Sequence, residues 1–252
     1  MKQKILLIII AVLTLTIAVM LGVKWYNGKQ QSEIIGQTSP QPTPDTQPSP
    51  PVSEKEPYVS PVDFAALKQK NPDIYSWIRI NGTCVDYPIV QRAGDNNYYH
   101  RRDFMGNHEW NGCIYTEDYN SLDFNNKVTV VYGHNIYSGK MFGDLINYTD
   151  AEYFKQNSKM TVYLPDGEKH YELFGAITFD NRHLLHYNDY DGVESEFLQL
   201  IDTLKNTKNL TSVISDDVTI DGDDRVVILS TCYYNQKDKR FLVVWRETEE
   251  IK

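Results

Sequence analysis

Nineteen consecutive residues, Ile5 to Val23, carry no charge, and a water-soluble fold has little room for such a run. As a helix rising ~1.5 Å per residue the segment is about 28 Å long. That matches the roughly 30 Å hydrocarbon thickness of a bilayer. Lys2 and Lys4 precede it and Lys24 and Lys29 follow it, so flanking charge does not set its orientation. The alternative is a cleaved signal peptide. Its apolar stretch is usually shorter, about 7–15 residues, and ends in a small-residue cleavage site; none is evident here. No cysteine follows the run, which excludes a lipoprotein anchor. Residues 1–28 are therefore expected to be an uncleaved, single-pass anchor in the cell membrane, with the remainder of the chain extracytoplasmic.

Residues 29–57 read as a linker. Seven of the eleven prolines fall there, from Pro40 to Pro57, with Gln, Ser and Thr between them. Such a composition buries no core and favours a semi-rigid polyproline spacer. It would hold the next segment away from the bilayer.

Residues 58–252 have globular composition. Asp63 to Lys68 reads as a short helix stopped near Asn71-Pro72. Ile74–Ile80 reads as a strand running into an Asn81-Gly82 turn. Further strands are expected at Val128–Tyr132, Met160–Leu164, Tyr171–Phe179, Val226–Thr231 and Phe241–Trp245, with Pro165-Asp166-Gly167 as a hairpin turn. Val193, Phe197, Leu200, Ile201 and Leu204 share one face of an amphipathic helix. Eighteen tyrosines, with many valines and threonines, favour strands. Many strands and few helices point to a mostly β barrel or sandwich with helical additions.

Net charge is −9 and no lysine or arginine cluster resembles a nucleic-acid footprint. Cys84, Cys113 and Cys232 are odd in number and none sits in a Cys-x-x-Cys pair. Neither a closed disulfide framework nor a zinc site is expected.

Cys232 ends the apolar strand Val226–Thr231 and precedes a polar loop. A thiol so placed is reachable while its backbone is held by a sheet; the alternative is a small buried hydrophobe. His134 follows the strand Val128–Tyr132 through Gly133. The other histidines, His100, His108, His170, His183 and His186, lack that setting. Arg240 starts the last strand eight residues after Cys232. A hairpin between those strands would bring its guanidinium back to the thiol, where it could donate to a carbonyl or oxyanion. The alternative is a solvated strand-end cation. Together the three types suit amide chemistry: a thiolate attacks, an imidazolium protonates the leaving amine, and a cation steadies the oxyanion.

On these residues the chain resembles the sortases, class B most closely. The resemblance spans roughly Asp63 to Arg246. It rests on Leu229-Ser230-Thr231-Cys232 with Arg240, on Val131–Asn135 followed by Met141–Leu145, and on Asn97–Tyr99, Arg102–Phe104 and Gly112–Tyr115. The helix near Val193–Leu204 resembles the class B insertion between late strands. Two positions depart from the common pattern: Ile228 stands where threonine is frequent, and Tyr233 where some relatives have an acid. Ile228 is expected to face the core.

The resemblance implies a closed eight-stranded β-barrel with N-terminal helices and one long inserted helix. It implies a cysteine transpeptidase in which Cys232 cleaves the Thr–X bond of a C-terminal, NPQTN-like sorting signal on a Gram-positive surface protein. A peptidoglycan precursor or other cell-wall amine would resolve the acyl-enzyme. His134 would be the acid and base, Arg240 the oxyanion partner, and Ser230 and Thr231 substrate-binding residues. A minority of the free enzyme would hold the thiolate–imidazolium pair at neutral pH. No metal or organic cofactor is implied, and Cys84 and Cys113 match no catalytic position. Three other readings differ from wall anchoring: a hydrolytic cysteine peptidase with the same dyad, a pilus-assembling enzyme, and a binding domain that retains the fold.

Overall fold

The computed structural model describes residues 2–40, 58–207, 211–233 and 236–252. The chain forms two units, one ending at Thr38 and the other running from Ser39 to Lys252. The first is a single helix, α1 (Lys2–Thr38). Its stretch Ile9–Val23 is apolar and exposed, and it is the one helix among the described residues long and apolar enough to cross a membrane. It continues past the expected anchor because Gly28–Thr38 contains no proline; the first is Pro40. Most of the proline-rich linker, residues 41–57, lies outside the described residues.

The second unit begins with α2 (Phe64–Lys70). The Asp63 side chain accepts from the Ala66 N–H at 2.9 Å, which satisfies one of the free donors of the first turn. Nine strands follow: β1 (Ile74–Ile80), β2 (Asp86–Val90), β3 (Tyr115–Thr116), β4 (Val128–Tyr132), β5 (Lys159–Leu164), β6 (Gly167–Asp180), β7 (Val213–Ile214), β8 (Val226–Tyr233) and β9 (Gln236–Ile251). The helices α3 (Ala151–Gln156) and α4 (Glu194–Asn206) precede β5 and β7 respectively. Hydrogen bonding runs β5-β1-β2-β3-β4-β8-β9-β6, and β6 pairs back onto β5. Eight strands thus close the expected barrel. β7 adds to β6 outside that circuit, at Gly175 and Ala176.

Strand alternation divides the apolar residues into two cores. Val227 and Leu229 of β8, with Phe241, Val243 and Trp245 of β9, fill the barrel. Val226 and Ile228, with Leu242 and Val244, face outward and are covered by Phe197, Leu200, Ile201 and Leu204 of α4. Ile228 is fully buried, as expected, but in this outer core. Val193, assigned to the apolar face of the helix, lies one residue before α4 and is 39% exposed.

Burying one large apolar side chain is worth about 1.5–3 kcal/mol, so four of them fix α4 on the barrel. Leu204→Ala should lower the unfolding free energy by about 2–5 kcal/mol. Leu198→Ala, on the partly exposed face, should cost less than about 0.5 kcal/mol. Urea denaturation of the two variants beside the parent chain checks the contrast.

Candidate active site

β8 lies between two partners. It runs parallel to β4, with Tyr132 opposite Ser230, and antiparallel to β9, with Cys232 opposite Arg240. The Gly133 N–H donates to the Ser230 carbonyl at 3.2 Å. The Asn135 side-chain amide donates to the Cys232 carbonyl, also at 3.2 Å. These two contacts bracket His134 beside Cys232. Cys232 and Arg240 therefore face each other across neighbouring strands, and His134, two residues beyond the end of β4, is held on the other side of Cys232. All three line one cleft of about 470 Å³ on the outer face of the barrel.

The local sequence explains how His134 gets there. A Cβ on Gly133 would lie 2.5 Å from Ile114 Cδ1 and 2.6 Å from Phe142 Cδ2, so glycine lets the chain pass close over these two buried side chains just before His134. The Phe142 N–H donates back to the His134 carbonyl at 3.1 Å, and Asn135 bridges to Met141. The segment Met141–Leu145 thus staples the histidine loop.

The three cysteines differ sharply in setting. Cys232 is exposed. Cys84 donates to the Gly139 carbonyl, and burial with nearby Asp144 pushes its thiol up to about 12. Cys113 borders the cleft but is buried, which pushes its thiol well above the ordinary range. A thiolate is the reactive form, and those two sites oppose it.

Arg240 is half-buried, and Nη1 donates to the Lys239 carbonyl at 3.1 Å. It pairs with no carboxylate among the described residues, so its other donors remain for a ligand. Ser230 and Thr231 both border the cleft. Ser230 shares the outward face with Cys232. Thr231 alternates to the other face, is 2% exposed, and its hydroxyl has no partner among the described residues.

Three further residues of the cleft escaped sequence reasoning: His100, Glu117 and His183. His183 Nε2 lies 2.9 Å from Glu117 Oε2, and the Tyr132 hydroxyl donates to the same oxygen at 3.1 Å. His100 packs edge-on against Tyr115 at 5.2 Å. His134 is exposed. Partial desolvation by the surrounding protein, and then repulsion from His100, push its pKa below the ordinary histidine value.

No protein-family model matches the chain. It is 28% identical over 195 residues to sortase B of Staphylococcus aureus, covering 77% of each chain. It is 31% identical over 169 residues to sortase B of Listeria monocytogenes, covering 66% of this chain and 65% of that one. Sortase B from Bacillus anthracis in complex with AAEK1 superposes with a TM-score of 0.70 at 26% identity, over 90% of this chain and 98% of that structure. Barrel, cleft and likenesses together define a sortase, an enzyme that exchanges peptide bonds through a cysteine. Within that class the chain belongs to the class B sortases.

His134 binds its proton less readily in the fold than in the unfolded chain, so its protonation opposes folding, and stability falls as pH drops through the ordinary histidine range. Replacing His100 removes one of the two causes. His100→Gln should raise the His134 pKa without restoring the ordinary value, because burial remains. Histidine-ring NMR titration of the parent and the variant reads this shift.

Proposed function

We propose that Cys232, His134 and Arg240 carry out the transpeptidation in the named roles below. The observation that supports this most is that Cys232 faces Arg240 in register while the contacts of Gly133 and Asn135 bracket His134 beside it. Cys232 Sγ attacks the carbonyl carbon of a Thr–X bond in a C-terminal sorting signal, and the C–N bond breaks as His134 gives its proton to the departing amine. Arg240 donates to the tetrahedral oxyanion. An amine of a cell-wall precursor then attacks the thioester, His134 takes the amine proton, and Cys232 leaves with the new amide formed. Ser230 offers the bound peptide a hydroxyl, and Thr231 joins it to the nucleophile.

The resemblance implies that only a minority of the free enzyme holds the thiolate–imidazolium pair at pH 7, and the lowered His134 pKa points the same way. The thiol-alkylation rate at Cys232 should therefore still be rising above pH 7. A plateau already reached at pH 7 would contradict that charge state.

The apolar part of α1 anchors the chain in the cell membrane, and residues 29–57 act as the spacer that presents residues 58–252 to extracytoplasmic substrates. NPQTN-like signals on surface proteins are the first substrates to try. Whether the product is wall-anchored protein or a pilus depends on the amine supplied, and water as acceptor would give plain hydrolysis.

Cleavage of a sorting-peptide panel, with and without a short amine acceptor, tests the assignment. Cys232→Ala should abolish cleavage, and Arg240→Ala should lower kcat/KM by about 10²–10³-fold. Cys84→Ser should keep activity, because that thiol is engaged away from the cleft. Activity surviving Cys232→Ala would overturn the scheme, and a product without incorporated amine would favour hydrolysis.

A further inference from the structure

Glu117 follows β3 directly and lines the cleft, with a side chain only 11% exposed. One oxygen does all its visible work: Oε2 receives the Tyr132 hydroxyl at 3.1 Å and lies 2.9 Å from His183 Nε2. Oε1 has no hydrogen-bond partner among the described residues. That oxygen is not sealed from solvent, and the cleft is where a ligand donor can reach it. Its packed neighbours are rings, although the Arg240 charge also acts on Tyr115 and Tyr132. Tyr115 and Tyr132 stack at 5.4 Å, and His100 packs on Tyr115. The Glu117 charge is felt by those rings: it helps hold both phenols above their ordinary pKa, and it pulls His100 upward against the larger effect of burial.

Position relative to Cys232 follows from register. Tyr132 pairs with Ser230, two residues before Cys232. That is about 7 Å along the strand, and the phenol carries the contact further sideways. An extended peptide with its scissile carbonyl at Cys232 covers this distance within about three residues.

We propose that Glu117 is a specificity-determining residue: its carboxylate receives an N–H donor, a cationic one best, from one of the three residues preceding the scissile threonine. This rests on the assignment of Cys232 as nucleophile. A purely structural role is the competing account, in which Glu117 only ties His183 and its loop to β4. The two differ in what a neutral isostere does. Loss of a tie slows all peptides alike, whereas loss of a charge changes the ranking among them.

The test uses the full chain in detergent micelles. Sorting peptides carry Lys, Gln, Leu or Glu at each of the three positions in turn, and kcat/KM is measured with an amine acceptor. At one position the parent enzyme should rank Lys and Gln above Leu and Leu above Glu, with Lys over Glu by roughly tenfold or more, as an opposed like charge implies. Glu117→Gln should bring the Lys-to-Glu ratio at that position close to one. Glu117→Asp, which keeps the charge, should preserve the order. Parent enzyme with no charge preference at any position would overturn the proposal, whether or not the variants fold. So would a Glu117→Gln enzyme that slows every peptide by the same factor. If no peptide is cleaved in a Cys232-dependent way, the underlying assignment fails and this proposal falls with it; Cys232-dependent cleavage without charge preference sinks this proposal alone.

Discussion

β8 pairs with β4 on one edge and with β9 on the other, and the site depends on both registers at once. Side chains alternate faces with a period of two, so a slip by one residue would turn Cys232 inward and Thr231 outward. What prevents the slip is burial on both faces. Val227 and Leu229 belong to the barrel interior, while Val226 and Ile228 belong to the layer under α4. A strand with two apolar faces has no comfortable alternative register. The chemistry at its end inherits that precision.

The outer layer has a second effect. α4 and the residues before it cover the lower part of the face on which the cleft lies, with Phe179, Leu184 and Leu242 contributing to both core and cleft wall. Groups at the cleft are therefore partly removed from water. This desolvation is the leading reason that the His134 and His100 pKa values lie low, and it strengthens any charge–charge or hydrogen-bonding contact formed there.

Much of this was legible in the sequence, for reasons that are local. Apolar runs ending in Cys232 and in Gly133-His134 mark strand ends, and an eight-residue return to Arg240 suits a hairpin. The helix face at Phe197, Leu200, Ile201 and Leu204 repeats at helical spacing. What escaped is long-range. β2 carries Pro88, which interrupts a strand pattern, yet Pro88 sits opposite Trp77 in the ladder. β9 runs to Ile251, well past the apolar Phe241–Trp245. Its charged end is held by partners distant in sequence: fully buried Lys169 lies 3.3 Å from Glu247 and 3.5 Å from Glu250, and Arg246 bonds to Glu172. Glu117, His100 and His183 looked like ordinary polar positions. Only the meeting of the helical turn Tyr98–Arg101, β3, β4 and the segment after β6 reveals them as neighbours, and no short-range pattern encodes that meeting.

Barrel closure has one more consequence. A peptide binding to an open sheet can join as an extra strand and be held mainly by its backbone, which tolerates many sequences. Here β5 and β6 seal the circuit, and every barrel strand is paired on both sides. A guest chain must lie across the sheet face, where the row of Cys232 and Arg240 meets side chains before backbone. Discrimination then falls to a handful of cleft residues, so exchanging a few of them could redirect the enzyme to another signal while the barrel beneath stays intact.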